Sequence, residues 1–348
     1  MTLDPEIVDP HLHFWDPRTT PREASVPLKV LGWSSLLRDR LLPKLFPRAI
    51  RDFVGKTDHV FAAHVPKVYL ADATPIGIKR YVHVQAGWHE KGKLASANET
   101  KWIEQIGGEA LLGIVGQANL DAPHLSELLD AHAAASQRFV GVRHMTSWDA
   151  DRGIHSFARR GGIMREEAWR AGLALVGERG YTFDAWCYQP QLRELVDAVR
   201  TAPKTRVVLC HLGTPIDLGG PHKERILAAW REDLAAVAAC PNVHAKISGL
   251  LMPILGWRFH ERTVPPSVGE IVDAIGPLVE HALATFGDGR CMFASNFPMD
   301  KVSAPLATIY AAFDQLTQTR SRQSRARLFA GNALSFYRVA PPQSTSTG

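Results

Sequence analysis

Residues 6–15 read Glu-Ile-Val-Asp-Pro-His-Leu-His-Phe-Trp, an apolar run that ends in two histidines set two apart. Seven further runs of this kind follow: IKRYVHVQAG (78–87), LLGIVGQANL (111–120), FVGVRHMT (139–146), YTFDAWCY (181–188), RVVLCHLG (206–213), NVHAKISGL (242–250) and RCMFASNFP (290–298). From the second onward, each is followed by a segment with helical spacing, such as HLSELLDAHAAAS, QLRELVDAVRTA or RILAAWREDLAAVAAC, and a final helix extends to about Tyr337. Short, nearly continuous apolar runs suit strands buried on both faces, and hence an all-parallel sheet. Eight alternations of strand and helix predict an α/β chain closed into a (β/α)8 TIM barrel. A doubly wound open sheet is disfavoured because no GxGxxG follows the first strand.

The spacing predicts one barrel domain over residues 1–340 and a polar, disordered tail over 341–348. Residues 16–76, rich in proline and broken amphipathic pieces, are expected to form a cap-like insertion after the first strand.

Composition sets the class. Hydrophobic residues make up 45% of the 348 and charged residues 22%, ordinary values for a globular protein. No apolar run reaches the ~18 residues of a membrane span. The acidic N-terminus lacks the basic and apolar regions of a signal peptide, so a cytoplasmic location is expected. Cys187, Cys210, Cys240 and Cys291 are widely separated and suggest buried free thiols rather than a disulfide framework. The formal charge of +5 gathers at Arg38, Arg40, Lys44, Arg48 and Arg51, and again at Arg320, Arg322, Arg325 and Arg327. Both groups are interleaved with apolar residues at helical spacing, so solvated helix faces explain them better than a nucleic-acid stripe. The expected partner is a small-molecule substrate, with neither nucleic acid nor membrane; a homo-oligomer is compatible with the sequence.

In a (β/α)8 barrel the C-terminal strand ends converge on one mouth. Alternation puts His11 and His13 on one strand face, with Asp9, so both imidazoles can reach one spot. His211 ends the sixth strand and suits acid/base or ligand chemistry. Arg143 and His144 end the fourth, where a guanidinium fork suits a substrate carboxylate or a polarised carbonyl. Weaker candidates are His83 and Gln85, Gln117 and Asn119, Asp184 and Trp186, and Lys246 and Ser248. Of these, Asp184 stands out as a carboxylate able to hold a metal. Asn296 and Asp300 follow the eighth strand.

Taken together, DPHLHFWDP, GVRHM, VVLCHLG and MFASNFPMDK resemble the amidohydrolase-related family, in its branch of sugar lactonases and 2-pyrone-4,6-dicarboxylate lactonase. The resemblance runs from residue 6 to about residue 337. It implies water attack on an ester or amide carbonyl, with His11, His13 and His211 at the site and Arg143 on a substrate carboxylate. Gln85, His144 and Trp186 would help bind the substrate. The family usually ends its eighth strand with an aspartate that activates water, where this chain has Asn296. An amide takes no proton, so the role passes to His211 or Asp300, or Asn296 only positions the water, or hydrolysis is lost. Metal-dependent members also add a fifth-strand histidine, absent from TFDAWCY. A divalent metal such as zinc would rest on His11, His13 and Asp184, with His211 as a further candidate; otherwise there is no cofactor.

The leading expectation is hydrolysis of a small lactone or related ester. Residues 16–76, with Trp15 and Trp33, and His89, Glu90 and Glu99 would shape the pocket. Two alternatives keep the fold: a metal-dependent decarboxylase of an aromatic or unsaturated acid, and a non-catalytic binding barrel marked by Asn296. Neither the substrate nor the oligomeric state is legible in the sequence.

Overall fold

The computed structural model describes residues 6–22 and 47–339. Eight strands alternate with helices: β1 (Ile7–Leu12), β2 (Ile78–Val84), β3 (Leu111–Gln117), β4 (Phe139–Met145), β5 (Thr182–Trp186), β6 (Arg206–Leu209), β7 (Val243–Ile247) and β8 (Cys291–Phe293). They form one parallel sheet in the order β1 to β8. The ring closes past the end of β8. There Asn296 N donates to His11 O at 2.8 Å, His13 N donates to Phe297 O at 2.7 Å, and Leu12 bridges Phe297. The expected (β/α)8 barrel is the fold of the chain.

Among the described residues, three short α-helices precede β2: α1 (Arg48–Val54), α2 (Asp58–Phe61) and α3 (Pro66–Ala73). The outer ring is α4 (Ala97–Ile106), α5 (Leu125–Ala135), α6 (Glu167–Glu178), α7 (Leu192–Thr201), α8 (Lys223–Ala238), α9 (Val268–Phe286) and α10 (Leu306–Thr317). Their spacing explains their placement. In α7, Leu192, Leu195, Val196 and Val199 recur at i, i+3, i+4 and i+7, and all four are buried against the barrel. In α9, Ser267 and Glu270 form a reciprocal capping box that satisfies orphan amides of the first turn.

The chain then runs through α11 (Arg322–Ala326) into α12 (Asn332–Tyr337). Phe336 and Tyr337 of α12 pack with Val8, Val82, Val208 and Met292 in a cluster separate from the main core, which lies between strands and helices. The basic residues of RARLFAGNALSFY stand on helices, with Arg325 paired to Asp314. Arg38, Arg40, Lys44, Trp33 and the 341–348 tail lie outside the described residues. No described helix is long and apolar enough to cross a membrane. All four cysteines are free and buried.

Strict alternation fails in β1, with a consequence for the site. Ile7 joins the main core and Val8 the interior cluster, yet Leu12 and Phe14 join the main core. The register against β2 shifts between Asp9 and Leu12, around Pro10. Such an irregularity re-aims the side chains that follow it. His11 and His13 thus face the interior, while Asp9 does not share their face. Its carboxylate accepts from Tyr69 Oη at 2.7 Å and from the amides of Ser295 (3.0 Å) and His11 (3.2 Å), clasping the closure seam.

Candidate active site

A cavity of ≈ 400 Å³ opens at the mouth, bordered by His13, Arg143, His211 and Asn296. Trp15, Phe53, Phe157 and Trp186 supply aromatic walls, and Trp186 is pinned by a 3.0 Å hydrogen bond from its ring nitrogen to Thr214. The segment after β1 contributes Ile50, Phe53, Val54 and Val60 to the wall. His89 also borders the cavity, whereas Glu90 is exposed. Glu99 is buried 3.6 Å from His83 and accepts from the Ala86 amide, away from the cavity wall.

His13 has a defined proton. Its Nδ1 lies 2.8 Å from Val84 O, which can only accept, so Nδ1 carries the hydrogen. Burial, reinforced by the nearby Arg143 charge, holds its pKa well below the usual imidazole value. The ring is therefore neutral, and Nε2 offers a bare lone pair. Nε2 faces Asn296 Oδ1 at 3.3 Å, while Asn296 Nδ2 donates to Asp300 Oδ1 at 3.0 Å. Two acceptors thus meet at the mouth. Asp300 also accepts from the Leu251 amide at 3.2 Å, yet burial still pushes its carboxyl up to about 7.

His11 lies between two cations. Lys246 Nζ has three hydrogens and three acceptors: Asp184 Oδ2 at 2.6 Å, Pro10 O at 2.9 Å and His11 Nδ1 at 3.2 Å. On the other side His11 Nε2 lies 3.4 Å from Arg143 Nη1, which also can only donate, so the neutral ring accepts from one of the two cations at a time. Burial, then the charges of Lys246, His211, His13 and Arg143, drive its pKa well below the ordinary value, so this ring is neutral too. Arg143 is fixed by a 2.6 Å bond from Nη2 to Gln85 O, and its Nε has no partner among the described residues.

His211 owes its position to strained backbone. The sixth strand ends at Leu209, two residues earlier than expected, and His211 follows in a left-handed conformation at φ 56°. Its Nδ1 pairs with Ser248 Oγ at 2.9 Å. Gly249 lies beneath the ring, where a Cβ would come 2.5 Å from His211 Nδ1. Burial, then Arg143 and Lys246, depresses the His211 pKa. Asn296 is also left-handed at φ 57°, a conformation that Asn tolerates.

The remaining candidates divide. Gln85 is buried with neither side-chain amide atom partnered in the protein, and it borders a second cavity of ≈ 250 Å³ together with Arg143 and His144. His144 Nδ1 accepts from the Leu120 amide (3.2 Å) and Trp169 Nε1 (3.1 Å), so that nitrogen is held toward α6. Asp184 stands beneath the mouth. It takes the Lys246 ammonium and two contacts from Tyr337 Oη at 2.8 and 2.9 Å.

Of the expected ligands His11, His13 and Asp184, His13 is not part of the converging group: its Nδ1 donates to Val84 O and its Nε2 faces Asn296 Oδ1. His11 and Asp184 do converge, but with Cys210: three ligand-type atoms lie within 4.8 Å of one another. Lys246 Nζ stands between two of them, bonded to His11 Nδ1 and Asp184 Oδ2. Cys210 and Tyr337 were not among the site candidates, and Lys246 stood only among the weaker ones. A lysine inside the apolar run NVHAKISGL was the available signal, since a buried ammonium requires a carboxylate partner.

Comparison with known proteins agrees with this architecture. The amidohydrolase family model matches residues 8–339. The uncharacterized protein y4mH of Sinorhizobium fredii is 31% identical over 97% of this chain and 99% of its own length. An L-fucono-1,5-lactonase of Burkholderia multivorans is 26% identical over 96% of this chain and 97% of its own. An amidohydrolase of Burkholderia multivorans superposes with a TM-score of 0.71 in a form with bound HEPES and 0.69 in a form with bound zinc. In both forms it is 22% identical and covers 97% of this chain and 100% of its own. The chain belongs to the amidohydrolase family.

Proposed function

We propose that the chain hydrolyses a small lactone or related ester, of the sugar or carboxylated type, at the barrel mouth. The observation that carries this reading is the bare His13 Nε2 lone pair at a cavity that the Arg143 guanidinium also borders. The lactone carbonyl oxygen accepts from Arg143, a donor in place before charge develops on it. Water held by His13 Nε2 and Asn296 Oδ1 attacks the carbonyl carbon and gives its proton to His13. Collapse of the tetrahedral intermediate breaks the ring C–O bond. The proton returns to the departing oxygen, leaving a hydroxy acid. Asn296 positions the water and takes no proton, so the missing eighth-strand aspartate does not by itself remove the base.

Arg143 Nε and the Gln85 amide are buried donors and acceptors that a substrate hydroxyl or carboxylate can satisfy. The aromatic walls suit a compact ring. The similarity to a Burkholderia lactonase makes sugar lactones the first class to test. Purified protein is assayed by acid release on a panel of aldonolactones, carboxylated lactones and simple esters. Turnover of at least one lactone is expected. If the folded protein leaves the whole panel unchanged, the hydrolytic reading is wrong and a binding barrel takes its place.

A further inference from the structure

His11, Asp184 and Cys210 place a ring nitrogen, a carboxylate oxygen and a thiol sulfur around one buried point. Cys210 Sγ lies 3.8 Å from His11 Nδ1 and 3.7 Å from Asp184 Oδ2. Zinc, with bonds of ~2.0 Å to nitrogen or oxygen and ~2.3 Å to sulfur, spans tetrahedral edges of roughly 3.5 Å. Spacing alone would suit the ion. The point is taken, however, by Lys246 Nζ, bonded to His11 Nδ1 and Asp184 Oδ2 and fully buried with them.

We propose that Lys246 is the resident cation of this triad, and that its ammonium closes the triad to divalent metal in the wild-type chain.

Charge balance supports the assignment. Lysine and Asp184 cancel, and the Cys210 thiol is fully buried beside them. A divalent ion added beside the ammonium would have to expel the thiol proton to solvent. One uncompensated positive charge would still be left in a site with no water-exposed side chain, which costs several kcal/mol. Replacing the ammonium removes that obstacle: a divalent ion, a carboxylate and a thiolate sum to zero. The surroundings already hold the two anionic ligands. Tyr337 Oη donates to both oxygens of Asp184 from below, and Pro10 O takes the remaining Lys246 hydrogen.

The inference stands apart from the hydrolytic reading, because its test reads metal content and a spectrum rather than turnover. Wild type and Lys246→Met are loaded with Co²⁺, freed of excess by gel filtration, and examined for bound metal and for thiolate-to-cobalt absorption in the near ultraviolet. Wild type is expected to retain none at this site. Lys246→Met is expected to hold a single equivalent with the thiolate band, and Cys210→Ser in the same background to abolish the band. The proposal is overturned if wild type shows a Cys210-dependent band, or if folded Lys246→Met takes up no cobalt. Should Lys246→Met fail to fold, wild type and Cys210→Ser decide alone: a band lost on Cys210→Ser overturns the proposal, and no band in wild type upholds it.

Discussion

Asp300 gives the most quantitative handle on the site. Its carboxyl is buried and held only by Asn296 Nδ2 and the Leu251 amide, and its pKa is displaced from 3.8 to about 7. The displacement is about 3 units, and at 1.36 kcal/mol per unit it amounts to roughly 4 kcal/mol. The sign follows from proton counting. Between pH 4 and 7 the folded chain binds a proton at Asp300 that the unfolded chain has released. This contribution is therefore full below the unfolded value and is lost as pH rises through about 7. Asp300→Asn keeps an acceptor for Asn296 and removes the titration, adding only a pH-independent offset. Urea unfolding of both proteins from pH 5 to 8.5 isolates the group, because the histidines titrate alike in each. Wild-type stability should fall relative to Asp300→Asn by about 1.4 kcal/mol per pH unit up to pH 7 and then level off. A difference that stays flat across this range would refute the assignment of Asp300 as a buried, proton-holding carboxyl.

Three further outcomes follow from named contacts. Gly249→Ala drives a Cβ to 2.5 Å from His211 Nδ1 at φ +63° and should cost about 1–3 kcal/mol in urea unfolding, with kcat falling as the ring shifts. Tyr337→Phe removes the phenol that serves Asp184 and should destabilise by about 1–3 kcal/mol in the same assay, without loss of the barrel's circular-dichroism signature. The neutral His11, His13 and His211 act in the direction opposite to Asp300. Their depressed pKa values mean that the unfolded chain gains protons first, so Asp300→Asn protein should lose stability as pH falls below 6.5, measured by thermal melts.

Much of the fold was legible because a buried parallel strand announces itself as a short apolar run, and eight such runs leave few closed arrangements. The mouth was legible too: His11, His13, Arg143, His211 and Asn296 all sit at or just past strand ends. What escaped notice lay where local pattern and tertiary context part. The register shift at Pro10 turned Asp9 away from His11, which strict alternation could not reveal. Asp184 looked like a carboxylate open to metal, since its partners Lys246 and Tyr337 come from 62 and 153 residues away. Tyr337 read as the end of the last helix, and only the closed barrel shows it reaching Asp184. Cys210 read as an inert thiol because its neighbours in sequence are apolar, while its neighbours in space are His11 and Asp184.

The central claim is that a neutral His13 is the base and that no metal at the His11 triad is needed. The kcat/KM for the best lactone of the panel, measured on chelator-treated wild type and on His13→Asn, tests it most directly. The account predicts that chelation leaves wild-type kcat/KM unchanged and that His13→Asn lowers it by ~10²-fold or more. Activity abolished by chelation and restored by zinc, or a His13→Asn protein as active as wild type, would contradict it.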